Sequence, residues 1–237
     1  MLLAQMNLQE AFYLERRYRD AIQEINVSYP RFVQLLGPSS MYTIQTLSTR
    51  AASEGQLKDY EDAIRDDLAL YESARTSPSA KMFQVAGLDD AASSECRIRR
   101  ISSGIEHARQ AYQQTKLESG TVPGLLGGTA FALAECLLSQ HESSGSKLDA
   151  AALAEIKSLL DSIDVNAVVH FGADPSFPGI MDVAKARLDL AENQFDAAKQ
   201  MADKARPYLD GPDADAYEKE ALNRVDASVA HFKFPPR

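Results

Sequence analysis

A short pattern recurs along the chain and constrains its fold more than any other feature: a bulky residue followed, three positions later, by alanine. The pattern occurs in YRDAI (Tyr18, Ala21), YEDAI (Tyr60, Ala63), IEHAR (Ile105, Ala108) and FDAAK (Phe195, Ala198). The four alanines lie 42, 45 and 90 residues apart, so the last interval spans two periods. A fixed period of this length is typical of repeat proteins, in which successive helical units stack and share one core.

The segments around these anchors are rich in residues that favour helices, and the alternation typical of strands is nearly absent. Helices are predicted over 1–15, 18–36, 40–54, 57–75, 79–99, 102–118, 123–141, 147–162, 177–192, 195–208 and 213–231. Gly, Pro and a capping Ser in LGPSS at 36–40 indicate where one helix ends and the next begins. The segment 164–179 is less regular and is predicted to form a short helix followed by a Pro-rich loop.

Composition narrows the class of protein. With 45% hydrophobic and 25% charged residues, the 237-residue chain can bury the core of a globular protein. The net charge of -9 argues against direct nucleic-acid binding, which needs clustered Lys and Arg. No apolar run approaches the roughly 20 residues of a membrane span, and the N-terminal sequence lacks the basic region and cleavage site of a signal peptide. Because the chain starts at once on a helical pattern, we expect a fragment of a longer protein.

The anchors resemble the tetratricopeptide repeat, where an aromatic-x-x-Ala sequence opens the second helix of each pair. That family also has a small residue midway along the first helix and Gly or Asn in the turn. Here the small position is matched by Ala51, Cys96, Cys136 and Ala186, and the turn by Asn193. Three departures are Gly55, which is predicted early in its turn, the insertion SSGSK in the fourth unit, and the Pro at the end of each unit, which is mostly missing.

The resemblance implies an all-α fold, a right-handed α-solenoid of about five helix pairs with a C-terminal capping helix. The chain 1–237 would form one repeat domain. Its predicted units are 1–36, 40–75, 79–118, 123–162 and 177–208, with the cap at 213–231.

A second resemblance concerns RYRDAI together with YPRFVQLLGPSSMYTIQTLSTRAASEG. This stretch is similar to the C-terminal repeat region of bacterial winged-helix transcriptional regulators of the CadC and ToxR type. In those proteins one membrane helix joins a cytoplasmic DNA-binding domain to a periplasmic sensor. If this chain is the sensor region of such a regulator, the resemblance implies a periplasmic location; if it is not, a cytoplasmic location is expected. Any membrane contact would be made by a segment outside this chain.

Together the two resemblances imply a non-catalytic recognition or sensor domain without a cofactor. The concave face formed by the first helices would hold a peptide, a partner protein or a small effector. The candidate lining residues are Thr49, Arg50, Arg97 and Arg99. Two alternatives stay open: a structural scaffold that self-associates as a homodimer, and the accessory repeat domain of a bacterial signalling enzyme such as a Ser/Thr kinase.

The two cysteines lie in matching settings, Glu95-Cys96 and Glu135-Cys136. Counting back 12 residues from Ala108 places Cys96 at the position where other units have alanine, and the motif of the fourth unit places Cys136 there. This predicts a small-residue packing position for both. A disulfide is left open, since neighbouring helices pack about 8–10 Å apart and a disulfide needs Cα atoms within about 7 Å. A metal site or a catalytic thiol is not indicated, because no His or Cys stands at ligand spacing and no His can be assigned as a base.

The residue before the small position is charged in four units: Arg50, Glu95, Glu135 and Lys185. A tetratricopeptide repeat usually has a buried leucine there. Because a half-buried charge is costly unless it is paired, we predict a ladder of ion pairs between adjacent first helices, Arg50 with Glu95 and Glu135 with Lys185. The alternative is that this position faces solvent.

No other motif indicates catalysis. The four histidines have no His or Cys at metal-ligand spacing, and no phosphate-binding or nucleophile motif occurs. His107 is predicted to lie on the surface, and the acidic pairs in RDD at 65–67 and LDD at 88–90 are predicted to be solvated.

Overall fold

The computed structural model describes residues 2–117, 122–144, 150–171, 175–211 and 216–233. Within these ranges the chain forms twelve α-helices and one short 3₁₀ helix, and no strand. The helices are α1 (Leu2–Leu14), α2 (Tyr18–Leu36), α3 (Met41–Leu57), α4 (Tyr60–Arg75), α5 (Lys81–Arg97), α6 (Ile101–Leu117), α7 (Pro123–Ser144), α8 (Ala150–Asp161), α9 (Val165–His170), α10 (Phe177–Ala191), α11 (Phe195–Leu209) and α12 (Ala216–Lys233). The 3₁₀ helix, Pro78–Ala80, precedes α5.

All eleven predicted helices are present, and α9 confirms the short helix in the irregular segment. Ser40 caps α3 as predicted, since its side chain accepts a hydrogen bond from the Thr43 amide at 3.3 Å. The position of Gly55 was predicted wrongly: it lies inside α3, which continues to Leu57. The turn after α3 is made by Lys58, which has a φ of 66°.

Four non-glycine residues in the left-handed region separate the helices of the pairs α1–α2, α3–α4, α5–α6 and α10–α11. They are Arg16, Lys58, Arg99 and Asn193, with φ values of 60, 66, 68 and 61°. Five residues after each of them comes a small, buried residue. These are Ala21, Ala63, Gly104 and Ala198. Because this backbone conformation is unfavourable for residues other than glycine, its recurrence at one position indicates a shared helix-turn-helix unit.

The third pair corrects the predicted register. Its small anchor is Gly104, one helical turn before the predicted Ala108. A Cβ atom at Gly104 would collide with Cys96 Sγ and lie 3.1 Å from the Ala92 carbonyl oxygen, so this helix pair packs too closely for a side chain there. Counted from the turn, Ala92 therefore corresponds to Ala51, and Cys96 lies one turn further along α5. Ala108 is also fully buried on the same face, which explains why it matched the pattern.

The chain divides into two compact units, Met1–Gln114 and Thr115–Arg237. In the first unit α1 packs on α2, α2 on α3, α3 on α4 and α4 on α5. The helices α3 and α4 enclose a core centred on Ile44, Leu47 and Leu70, against which Tyr29 and Phe83 pack. The buried residues of α2 and α4 recur at helical spacing, which gives each of these helices a face that packs on its neighbours.

The second unit is built around α10, α11 and α12, and α7 packs on α8, α9 and α10. The α11 stripe that faces this core consists of Ala198, Ala202, Ala205 and Leu209, all buried. Alanines at this spacing allow neighbouring helix backbones to approach closely.

Among the helices that the structure describes, none combines the length and the apolar character needed to cross a membrane.

Candidate functional site

A groove on the first unit is the candidate site. It has a cavity volume of about 340 Å³, within the range of roughly 300–1,000 Å³ typical of ligand pockets. The helices α1, α3 and α5 line it, and these are the first helices of three consecutive pairs. The lining residues are Met6, Glu10, Tyr13 and Leu14 from α1, Gln45, Ser48, Thr49 and Ala52 from α3, and Phe83 from α5.

Helical periodicity explains why these side chains share a surface. The α1 and α3 residues follow i, i+4, i+7, i+8 and i, i+3, i+4, i+7 spacing, so each set lies on one face of its helix. Another face of α3 carries Ile44 and Leu47 into the core, and this fixes the rotation of the helix. The groove therefore has apolar side walls and a short polar row from α3, in which the Thr49 hydroxyl donates to the Gln45 carbonyl at 3.0 Å.

Of the four predicted lining residues, Thr49 lines this groove and the other three are not among its lining residues. Arg50 donates from Nε to Asp66 and from Nη1 to Asn26 Oδ1, the latter at 3.2 Å. Arg97 donates from Nη1 to the Tyr60 hydroxyl at 3.3 Å. Arg99 is exposed in the left-handed turn between α5 and α6. The structure thus does not gather the predicted arginines into one site with Thr49.

The charge pairs of the first unit have different partners from those predicted. Arg50 bonds to Asp66 rather than to Glu95, and Glu95 Oε2 lies 2.8 Å from His107 Nδ1. Both pairs join the two helices of one helix pair, because Asp66 and His107 each lie eight residues after the left-handed turn residue. His107 is therefore partly buried rather than on the surface, and its hydrogen bond to Glu95 raises the pKa of the imidazole.

In the second unit the predicted partner of Glu135 was Lys185, but the structure places Arg187 against it. Arg187 donates from Nη1 to both carboxylate oxygens of Glu135 at 2.7 and 2.6 Å, and from Nε to Glu142 Oε1 at 2.6 Å. Its Nη2 also lies 3.3 Å from the Ser139 hydroxyl. This buried cluster joins α7 to α10, so charge pairing between these helices exists two residues away from the predicted position.

Both aspartates of RDD are buried, which contradicts the prediction of a solvated acidic face, while Arg65 is exposed. Asp66 and Asp67 are only 2% and 3% exposed. Burial, together with the nearby carboxylates of Asp90 and Asp66, raises the pKa of Asp67 to about 10. Burial and Asp66 raise the pKa of Glu54 to about 7. In LDD, the Asp90 side chain is exposed as predicted, yet desolvation by the surrounding protein raises its pKa to about 6. Asp89 is partly buried, and burial and the charge of Asp90 raise its pKa.

Both cysteines are buried, Cys96 in α5 and Cys136 in α7, in agreement with a close-packed position for each. Neither is a free thiol in the structure. The sequence leaves a disulfide between the two open, and a thiol count tests it. Among the described residues, no group of three or more His, Cys, Asp and Glu side chains could hold a metal ion.

No protein-family model matches the chain, and no curated protein matches its sequence significantly. The functional interpretation therefore depends on the geometry of the groove and on the helix pairs that form it.

Proposed function

We propose that this chain is a recognition domain and that the groove on α1, α3 and α5 binds a short segment of a partner protein. The observation that carries the proposal is that the first helices of three consecutive pairs contribute to one open groove. Proteins built from stacked helix pairs commonly bind ligands on the surface that their first helices form. Mixed apolar and polar lining suits a peptide, whose side chains need apolar contacts and whose backbone needs hydrogen-bond partners.

The finer architecture in this proposal is a right-handed solenoid of tetratricopeptide-like pairs, closed by α12. Support comes from the left-handed turn residue and the small residue five positions later, which recur in four helix pairs. The broader setting we propose is the sensor region of a bacterial membrane-anchored regulator, in which the groove would hold the segment that carries the signal.

A substitution that fills the groove with a large side chain tests the proposed function. Peptides would be selected from a random display library on the full chain, and their affinities compared for the wild type, Ala52→Arg and Ala69→Arg. Ala52 lines the groove, whereas Ala69 is exposed on α4 and serves as the matched control. We expect the selected peptides to bind Ala52→Arg at least about tenfold more weakly and Ala69→Arg normally. Circular dichroism would confirm that both variants fold.

Two results would contradict the proposal. One is a selection that enriches no peptide. The other is a set of peptides that bind Ala52→Arg and the wild type equally well, which would place the binding surface elsewhere.

Self-association is a second candidate, favoured by exposed leucines on α1. Leu3 and Leu8 are both exposed on this helix, and exposed leucines can contact another protein. If α1 mediates dimers, sedimentation analysis will show a concentration-dependent dimer that Leu8→Glu abolishes. A monomer at all concentrations would eliminate this candidate.

A further inference from the structure

We propose that the segment held in the groove is basic, with an Arg or Lys next to an apolar anchor residue. This inference rests on the proposed function and specifies the class of partner. Among the nine lining residues, Glu10 is acidic and none is basic. Glu10 is exposed on α1, where its carboxylate can accept hydrogen bonds from a guanidinium or ammonium group without first being removed from water.

A second carboxylate adds to the negative field at the α1 wall. The phenol of Tyr13 has a raised pKa, caused first by burial and then by the charges of Tyr18 and Asp90. Asp90 lies on α5, and desolvation raises the pKa of its carboxyl to about 6, so at pH 7 most molecules carry this charge, which acts from a different helix from Glu10. Carboxylates on two helices around one groove, in a chain of net charge -9, attract cationic ligands and disfavour acidic ones.

Arg17, three residues after Leu14 at the end of this wall, already has acidic partners. Arg17 follows α1, and its Nε donates to Asp20 at 2.8 Å while its Nη1 donates to Glu15 at 3.3 Å. Its guanidinium also lies over the ring of Phe12, 4.3 Å from the centroid. Because these contacts hold Arg17 against its own neighbours, it does not neutralise Glu10.

The apolar walls define the anchor beside the cation. Met6 and Leu14 contribute flexible aliphatic surface, and Phe83 contributes a ring from α5. The small side chains of Ser48 and Ala52 between them leave room for an inserted side chain. A thioether adapts its shape to different apolar groups, so the charge next to the anchor, more than the shape of the anchor, would select the partner.

Three peptide libraries with a fixed central Leu test the proposal. The residues flanking Leu would be Arg and Lys in the first library, Asp and Glu in the second, and Gln and Asn in the third. We expect the full chain to enrich the basic library. Its peptides should bind Glu10→Gln about fivefold more weakly than the wild type, and binding should weaken as salt rises from 50 to 300 mM.

The matched control is Glu72→Gln, which removes an exposed carboxylate on α4, outside the groove lining. It should leave the affinity unchanged. A charge reversal, Glu10→Lys, should shift the enrichment from the basic to the acidic library, an effect that loss of folding cannot produce.

The outcomes separate this inference from the proposed function. Binding that Ala52→Arg blocks, but that shows no preference for basic peptides and no response to Glu10→Gln, would overturn the inference and leave the proposed function standing. Binding that Ala52→Arg does not affect would overturn both.

Discussion

Replacing Arg187 with methionine should lower the free energy of unfolding by about 3–5 kcal/mol. The Arg187 side chain is 3% exposed and donates to Glu135 and Glu142, which are 13% and 34% exposed. Methionine has a similar length and is apolar, so the change removes the charge and the donors without opening a large cavity. It leaves the carboxylate of Glu135 buried without its cationic partner.

The magnitude follows from the contacts. Three charge-assisted hydrogen bonds, at about 1.5–3 kcal/mol each, would sum to more than 4 kcal/mol if they were independent. They are not independent, because two of them share the Glu135 carboxylate. The Glu142 carboxylate is partly exposed and can be hydrated again once Arg187 is gone. The expected loss is therefore close to that of one broken buried ion pair.

Urea denaturation at pH 7 measures this loss. The control is Arg224→Met, which breaks an exposed pair with Glu220 on α12 and should change stability by no more than about 0.5 kcal/mol. The double variant Arg187→Met with Glu135→Met should recover much of the loss, because it removes the stranded charge. A loss below about 1 kcal/mol for Arg187→Met, or additive effects of the two single substitutions, would refute the reasoning.

Three further predictions concern the first unit and the cysteines. Gly104→Ala should lower the free energy of unfolding by about 1–3 kcal/mol, because the new Cβ would collide with Cys96 Sγ. Gly55 has open space around it, so Gly55→Ala should stabilise α3 by up to about 1 kcal/mol. Equal urea midpoints for the two variants would contradict the packing argument. The pKa of Glu54 is raised from 4.5 to about 7, so its contribution to stability is full below pH 4.5 and is lost as the pH rises towards 7. The wild type should therefore lose on the order of 3 kcal/mol more than Glu54→Gln between pH 4.5 and 8, and parallel stability profiles would disprove this. A thiol titration of denatured protein should find no thiol before reduction and two after it; two thiols before reduction would show that Cys96 and Cys136 are not bridged.

The helix boundaries could be predicted because local chemistry determines them. Gly37, Pro38 and Ser40 end α2 and begin α3 through backbone conformation and a single cap, without help from distant residues. The turn between α5 and α6 was harder to locate, because Arg99 adopts a conformation that the sequence pattern assigns to Gly or Asn. Gly104 meets the same need for a small residue, but it does not match the alanine of the repeated pattern.

The groove was only partly predictable because neighbouring residues on a helix face different surroundings. Thr49 lines the groove, while Arg50 turns to contact Asp66 in α4. The partner of Arg50 depends on how α3 and α4 are rotated against each other, which no local signal records. Asp66 and Asp67 were missed for a related reason: acidic residues are exposed in most proteins, and only the packing of α4 shows that these two are buried.

The raised pKa values of the buried carboxyls increase the number of protons that the folded protein binds at neutral pH. With a pKa of about 10, Asp67 keeps its proton at neutral pH, and Glu54 keeps part of one. The folded chain is therefore less negative than its formal charge of -9. Unfolding exposes these groups to water, where their ordinary pKa values make them release the protons. The heat absorbed on unfolding at pH 7 will therefore include the heat of buffer protonation, and it will differ between phosphate and Tris.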